Sequence, residues 1–229
     1  MIKKILIALL LIFTNGSLKA QDWANIKHYA DANSKVPPPA TGEKRVIYMG
    51  DSITDFWIDN DSTFFAGKPY FDRGISGQTT GQMLLRFRED VINLKPVVVF
   101  ILAGINDIAQ NNGPSKLEDI FGNIVSMSQL ARASHIKVVL SSLLPARTLP
   151  WRHAIDPQPQ VKAINQMIKA YAEENGFIYL DYFTAMSVSN GGMLANLAKD
   201  DVHPNLNGYK AMEPLAEQAI NAALKKKQR

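Results

Sequence analysis

The sequence predicts an α/β protein with a five-stranded parallel sheet. Short apolar runs alternate with longer amphipathic segments along the 229-residue chain, the pattern of strands connected by helices that cover the sheet. The run Val97–Leu102 is apolar at every position, as expected of a central strand that is buried on both faces. With 46% hydrophobic and 20% charged residues, the composition is that of an ordinary globular protein.

The predicted elements follow one another in regular order. Strands are expected at residues 45–49, 70–73, 97–102, 137–143 and 177–180. Amphipathic segments predict helices near residues 22–32, 79–93, 115–133, 158–175 and 206–226. In the second of these helices the apolar positions fall on one face, and Asn175-Gly176 forms a helix stop before the last strand. Residues 34–42, with three consecutive prolines, predict an extended connector.

The N-terminal 20 residues have the build of a secretory signal peptide. Lys3 and Lys4 precede an apolar core at residues 5–13, and Ser17–Ala20 forms a plausible cleavage site. The apolar core is too short to span a bilayer, although an uncleaved N-terminal anchor is the alternative. Residues 21–229 are long enough for one domain, which we predict to be secreted or periplasmic, without a stable membrane anchor.

Charge and cysteine content exclude several classes of function. Once the three lysines of the signal segment are set aside, basic and acidic residues nearly balance, and four of the basic ones cluster at residues 225–229. No basic stripe with interleaved aromatic residues is present, so we expect no nucleic-acid partner. The chain has no cysteine, which excludes disulfides, thiol catalysis, cysteine-ligated metals and a lipid-modified cysteine.

A candidate nucleophile follows the first predicted strand. The apolar run at residues 45–49 ends abruptly in Gly50-Asp51-Ser52, and ligands bind at the carboxyl ends of strands in open α/β sheets. Ser52 is therefore placed where a ligand would meet it. The glycine two residues beyond the serine of an α/β-hydrolase nucleophile elbow is absent, so this is a different motif.

A serine nucleophile needs a base, and the base needs an orienting group. Of the four histidines, His203 lies three residues after Asp200, in a loop stiffened by Pro204 just before the last predicted helix. This spacing allows the two side chains to meet within one loop. Asp201 is a rival orienting residue, and an Asp-x-x-His pair taken alone is usually a pair of surface residues.

Two glycine-containing segments are candidates for holding a developing negative charge. Gly74–Gly77 follows the second strand, where backbone N–H groups can approach a ligand closely. Gly104-Ile105-Asn106 follows the central strand, and Asn106 offers a side-chain N–H. Each segment taken alone is better explained by a tight turn or by local hydrogen bonding.

These four segments, in this order, resemble the SGNH hydrolases, also called GDSL esterases and lipases. The resemblance runs from Arg45 to the final helix, and residues 71–80 are similar to the branch of platelet-activating-factor acetylhydrolases and carbohydrate acetylesterases. It implies a flavodoxin-like three-layer α/β/α sandwich, and an enzyme without metal or organic cofactor. By resemblance the catalytic residues are Ser52, Asp200 and His203, and the oxyanion hole consists of the Ser52 and Gly77 backbone N–H groups and the Asn106 side chain.

The substrate expected from this resemblance and from export is a short-chain, acetyl ester of a carbohydrate or similar polar alcohol. Phe56, Trp57, Trp151 and Arg152 are the residues expected to line the alcohol side. Residues 145–159 form a long loop that is either functional or a solvent-facing connector. A lysophospholipase or thioesterase for longer acyl chains is the alternative enzyme, and a non-catalytic glycan-binding module is the alternative from another class. The sequence leaves the oligomeric state open.

Overall fold

The computed structural model describes residues 22–226, so the predicted signal peptide lies outside the described residues. Five parallel strands form one sheet in the order β2-β1-β3-β4-β5, which confirms the flavodoxin-like topology. No helix within residues 22–226 combines the length and the apolarity needed to cross a membrane. The strands are β1 (Val46–Gly50), β2 (Tyr70–Gly74), β3 (Val98–Leu102), β4 (Lys137–Ser141) and β5 (Ile178–Leu180).

Four of the five predicted helices are confirmed, the one near the N-terminus differs, and four further helices within residues 22–226 were not predicted. The helices are α1 (Ala30–Ser34), α2 (Ser52–Asn60), α3 (Ser62–Phe65), α4 (Thr80–Asp90), α5 (Ile105–Ile108), α6 (Leu117–Ala133), α7 (Gln158–Asn175), α8 (Tyr182–Met186) and α9 (Leu206–Lys225). A short 3-10 turn, Ile92–Leu94, extends α4 toward the central strand.

The register of β1 with its two neighbours, β2 and β3, places the candidate motifs at one edge of the sheet. Gly50 at the end of β1 pairs with Gly74 at the end of β2 and with Leu102 at the end of β3. The segments that begin at Asp51, Ile75 and Ala103 therefore leave the sheet side by side. Three motifs that are far apart in sequence come together because their strands are in register.

The predicted helix at residues 22–32 is wrong over most of its length. The Asp22 carboxylate accepts hydrogen bonds from the backbone N–H groups of Ile26 and Lys27, at 2.9 and 3.0 Å. Asn25 adopts a left-handed backbone conformation with φ of 56°. A short polar side chain that bonds nearby backbone groups competes with helix formation, so residues 22–29 form turns and α1 begins only at Ala30.

Three short helices that the periodicity did not indicate start directly after an aspartate. Asp51, Asp61 and Asp181 are the N-caps of α2, α3 and α8, and each side chain accepts a hydrogen bond from a backbone N–H in the first turn. The sequence signal for these helices is therefore the capping residue, since α3 and α8 are too short to show a helical repeat.

Trp57 is a core residue, and the expectation that it lines the alcohol side of the site is wrong. Its side chain is 1% exposed and stacks on Phe64, with ring centroids 5.0 Å apart and planes 12° apart. It also contacts the rings of Tyr48 and Tyr209. Trp57 faces the sheet, whereas Phe56 lies on the face of α2 that carries Ser52, one helical turn away.

Buried carboxyl groups lie near the edge where these strands end. Asp51 is fully buried, and burial raises its pKa to about 7. Burial likewise raises the pKa of Asp72 to about 7 and that of Asp107 to about 6. In an unfolded chain the pKa of an aspartate is about 3.9, so between these values the folded protein holds protons that the unfolded chain releases.

Because the folded protein binds more protons than the unfolded chain in this range, we expect the free energy of unfolding to fall as the pH rises from about 4 to 7. Asp51→Asn, which keeps an oxygen to accept the Ile53 N–H but stays neutral, should make this decline shallower. One proton corresponds to a slope of about 1.4 kcal/mol per pH unit, which is the upper limit of the change. Urea denaturation at a series of pH values measures it.

Asp61 provides a matched control, because it caps the next helix in the same way. The Lys210 ammonium and the Thr63 hydroxyl lower the pKa of Asp61, so its contribution to stability is lost only as the pH falls below the ordinary aspartate range. Asp61→Asn should leave the slope between pH 4 and 7 unchanged. Equal slopes for the wild type and Asp51→Asn would contradict the raised pKa of Asp51.

Candidate active site

Ser52 lies in a strand-to-helix turn that depends on glycine at two positions. A Cβ on Gly50 would lie 2.0 Å from the Thr54 hydroxyl oxygen, and a Cβ on Gly74 would lie 2.1 Å from the Asp55 backbone nitrogen. Neither strand end tolerates a side chain, because the first turn of α2 packs directly against both. Ser52 is the first residue of that helix, where backbone N–H groups have no partner within the helix.

The structure brings Ser52 together with His203 and Asp200. The Ser52 hydroxyl oxygen is 2.9 Å from His203 Nε2, although the two residues are 151 positions apart. On the other side of the ring, His203 Nδ1 is 2.9 Å from one carboxylate oxygen of Asp200 and 3.2 Å from the other. A carboxylate only accepts hydrogen bonds, so Nδ1 carries the proton and the Nε2 lone pair faces the serine.

Asp200 is itself held by the loop that it shares with the histidine. One of its oxygens accepts hydrogen bonds from the backbone N–H groups of Val202 and His203, both at 2.7 Å. Partial burial acts to raise the pKa of Asp200, but these N–H groups and the His203 ring outweigh it and lower the pKa. The carboxylate is therefore charged at neutral pH, as an orienting group for an imidazole should be.

Asp201, the rival orienting residue, points away from His203. Its carboxylate accepts hydrogen bonds from Arg147 Nη2 at 3.2 Å and from the Thr148 hydroxyl at 2.5 Å. The two adjacent aspartates thus have different partners. Asp200 binds the His203 ring, and Asp201 connects the histidine loop to the long loop after β4.

Two aromatic rings flank His203. The Phe56 ring centroid is 5.6 Å from that of His203, and the Trp151 centroid is 6.0 Å away on the long loop. Trp151 is 39% exposed, so its ring offers a surface to solvent beside the histidine. Of the aromatic residues expected to line the site, Phe56 and Trp151 lie beside His203, whereas Trp57 lies in the core.

The three expected donors for an oxyanion lie on neighbouring segments. Gly77 has a φ of 78°, a left-handed conformation that favours glycine. The preceding Ser76 is held by Asp55 Oδ2, which accepts from its backbone N–H at 3.0 Å and its hydroxyl at 2.6 Å. Asn106 is buried, and its Nδ2 has no hydrogen-bond partner among residues 22–226.

Two side chains bridge the Gly77 segment to the Asn106 segment. Asn111 Nδ2 donates to Asn106 Oδ1 at 2.8 Å and to the Gly77 carbonyl at 3.3 Å. Asp107 accepts hydrogen bonds from the backbone N–H and the hydroxyl of Thr80, at 2.8 and 2.7 Å. The two segments are therefore joined to each other rather than resting separately on the sheet.

The buried Arg86 holds the segments that carry Ser52 and Gly77, and the sequence analysis did not identify it. Its guanidinium donates to Gln78 Oε1 at 2.6 Å, to the Gly50 carbonyl at 3.1 Å and to Asp90 Oδ2 at 2.8 Å. It thereby links the end of β1, just before Ser52, to the residue after Gly77. The sequence does contain a sign of this role. Arg86 and Asp90 are four residues apart, on the same helix face as the apolar Met83 and Phe87, which indicates a buried ion pair.

An open groove of about 630 Å³ adjoins Trp151. Arg152, the last of the expected substrate-binding residues, lines this groove and is exposed. Most of the side chains along it are polar or aromatic. The lining residues are Gln110, Asn111, Gly113, Trp151, Arg152, His153, Ala154 and Ile155.

Nothing in residues 22–226 groups three or more His, Asp or Glu side chains closely enough to hold a metal ion. The arrangement has a hydroxyl next to an imidazole nitrogen, a carboxylate behind the imidazole and a buried amide donor close by. These are the groups required for nucleophilic acyl transfer.

Comparison with known proteins agrees with this geometry. The curated relatives include an acetylxylan esterase of Geobacillus stearothermophilus, 26% identical over 198 residues that cover 74% of this chain and 90% of that protein. They also include the uncharacterized lipoprotein YqeF of Bacillus subtilis (strain 168), 26% identical over 147 residues. The match to YqeF covers 62% of this chain and 58% of the lipoprotein, so this chain spans less than two thirds of its length.

A solved structure is similar to this chain over most of its fold. The crystal structure of a GDSL-like lipase from Bacteroides thetaiotaomicron VPI-5482 is 47% identical, with a TM-score of 0.85. The match covers 87% of this chain and 98% of that one. The family model of GDSL-like lipases and acylhydrolases matches residues 48–211, well over half of the chain. The chain therefore belongs to the GDSL-like lipase/acylhydrolase family and is a carboxylic ester hydrolase.

Proposed function

We propose that the protein is an exported serine esterase that removes short acyl groups, acetyl above all, from a carbohydrate or a similar polar alcohol. The observation that carries the proposal is the 2.9 Å contact between the Ser52 hydroxyl and His203 Nε2, with the Asp200 carboxylate at Nδ1. This arrangement serves a serine nucleophile, and a non-catalytic glycan-binding module would have no use for it.

The proposed reaction proceeds in two steps. His203 Nε2 takes the proton of the Ser52 hydroxyl as the oxygen attacks the acyl carbonyl carbon. The carbonyl oxygen becomes negatively charged and is held by the N–H groups of Ser52 and Gly77 and by Asn106 Nδ2. His203 then gives its proton to the leaving alcohol, which leaves an acyl-Ser52 enzyme. Water, deprotonated by the same histidine, hydrolyses this intermediate and restores the serine.

The preference for a short acyl group on a polar alcohol is supported by the surroundings of the site. The groove beside Trp151 is open and includes Gln110, Arg152 and His153, which favour a polar ligand over an alkyl chain. The exposed face of Trp151 suits stacking on a sugar ring, because it is flat and apolar with a polar edge. The acetylxylan esterase among the relatives acts on such an ester.

Export is proposed from the N-terminal pattern of two lysines, an apolar core and a small-residue cleavage site within residues 1–20. The intact mass of the protein released by a Gram-negative host into its periplasm tests this directly. We expect a chain that starts at Gln21. A full-length chain recovered from the membrane fraction would instead support the uncleaved anchor.

Hydrolysis of p-nitrophenyl esters with acyl chains of increasing length separates the proposed activity from its runner-up. We expect kcat/KM to be highest for acetate and to fall for octanoate, because the groove offers no long apolar channel. Highest activity at octanoate or longer would instead support the lysophospholipase or thioesterase alternative. Release of acetate from acetylated xylo-oligosaccharides then tests the carbohydrate part of the proposal.

Ser52→Ala should abolish both turnover and labelling by a fluorophosphonate probe. Ser62→Ala is the matched control, because Ser62 also follows an aspartate N-cap and is also the first residue of a helix. That variant should retain full activity and a single adduct. Turnover that persists in folded Ser52→Ala, or a label on any other residue, would overturn the assignment of the nucleophile.

Asn106→Ala should lower kcat by about 10²–10³-fold, the loss typical of removing one oxyanion-hole donor. The KM of a small ester should change little, because the donor acts mainly on the charge that develops in the transition state. Steady-state kinetics with p-nitrophenyl acetate provide the measurement, and an unchanged melting temperature shows that the fold is intact. Near-wild-type kcat in the folded variant would exclude Asn106 from the oxyanion hole.

A further inference from the structure

A chain of three hydrogen-bonding groups leads from the surface to the candidate oxyanion donor. Trp151 Nε1 lies 3.0 Å from Asn111 Oδ1, and Asn111 Nδ2 lies 2.8 Å from Asn106 Oδ1. This series of hydrogen bonds therefore begins at the aromatic ring beside His203 and ends at the buried Asn106 amide. None of its links involves Ser52, His203 or Asp200.

The direction of these hydrogen bonds is set by the tryptophan. An indole N–H can only donate, so the Asn111 group that faces it must be the oxygen. The Asn111 NH₂ group then faces Asn106, and only an oxygen can accept from it. Asn106 is consequently turned so that its own NH₂ group points away from Asn111, and this NH₂ nitrogen is the buried donor without a partner in residues 22–226.

Asn111 is well placed to hold this orientation. Its NH₂ group also donates to the Gly77 carbonyl at 3.3 Å, so both of its hydrogens and its oxygen are engaged. Its backbone N–H donates to the Asn106 carbonyl at 3.0 Å, across a turn in which Gln110 has a φ of 56°. The side chain thus contacts two of the three expected oxyanion-hole residues without being one of them.

We propose that Asn111 is a positioning residue that keeps the Asn106 amide in its donating orientation and holds Gly77 beside it. The inference rests on the proposed function, since it concerns the orientation of a donor in that reaction. Without Asn111, the Asn106 amide is free to rotate, and rotation by half a turn would present an oxygen to the developing negative charge. The resulting repulsion would act on the transition state and much less on substrate binding.

The sharpest test is Asn111→Asp, which preserves size and shape but replaces the NH₂ group with a charged oxygen. That oxygen would face Asn106 Oδ1, so the Asn106 amide should turn around. We expect kcat for p-nitrophenyl acetate to fall by about 10²-fold, approaching the loss expected for Asn106→Ala, with KM changed by less than about three-fold. Asn111→Ser serves as a second, uncharged variant that removes the same donor and should also lower kcat.

Asn112→Asp is the matched control for the same chemical change one residue away. Asn112 Nδ2 donates to Gln82 Oε1 at 2.7 Å and to the Thr79 hydroxyl at 3.1 Å, at the start of α4. Loss of these two hydrogen bonds should lower the stability of the first turn of α4. The kcat should stay within about two-fold of the wild type, because no oxyanion donor loses a partner. Melting temperatures of all variants separate loss of fold from loss of orientation.

A double-mutant cycle shows whether Asn111 affects kcat through Asn106. If Asn111 acts through Asn106, adding Asn111→Ser to Asn106→Ala should cost little beyond Asn106→Ala alone. Full kcat in folded Asn111→Asp and Asn111→Ser, or costs that simply add in the cycle, would overturn the inference. Neither result affects the proposed function, which is tested separately by turnover of the wild-type protein, its acyl-chain preference and the labelling of Ser52.

Discussion

The close packing of the first turn of α2 against two strand ends is the constraint on which the site depends. Because Gly50 and Gly74 have no side chains, the helix approaches β1 and β2 closely enough for the Ser52 hydroxyl to emerge at the edge of the sheet. The β1–β2 and β1–β3 registers then bring the Gly77 and Asn106 segments to the same edge. A parallel sheet thus gathers groups from distant parts of the chain at one edge.

The histidine reaches the serine from the far end of the chain, and its loop is held at both ends. Asn205 caps α9 by accepting from the Gly208 N–H at 3.0 Å, and its amide donates to the carbonyls of Asn196 and Ala198. On the same helix, the Tyr209 hydroxyl donates to the Ile53 carbonyl at 2.9 Å, next to Ser52. The helix that follows His203 is therefore fastened to the helix that begins with Ser52.

Much of the fold was predictable because four of its five strands are mostly apolar and four of its longer helices are amphipathic. The contact between Asp200 and His203 was predictable from their three-residue spacing, whereas the pairing of His203 with Ser52, 151 positions away, was implied by the resemblance to the SGNH hydrolases. The Phe56 and Trp57 pair shows the limit of this approach, since adjacent aromatic residues of a helix give no sign of which one faces the core. Asn111 was missed because two of its three side-chain partners, Gly77 and Trp151, are 34 and 40 residues away and belong to different loops.

Under the proposed function, the buried donor of Asn106 combines stability with reactivity. A buried polar group without a partner costs roughly 1–3 kcal/mol. Here the neighbours of Asn106 are satisfied: Asn111 uses all its side-chain groups, and Asp107 accepts two hydrogen bonds from Thr80. Among the side chains of Asn106, Asp107 and Asn111, the buried atom that lacks a partner in residues 22–226 is therefore Asn106 Nδ2, and Asn111 keeps it from turning. A donor held in this way needs no reorganisation when negative charge develops, and such preorganisation is what makes a buried amide more effective there than water.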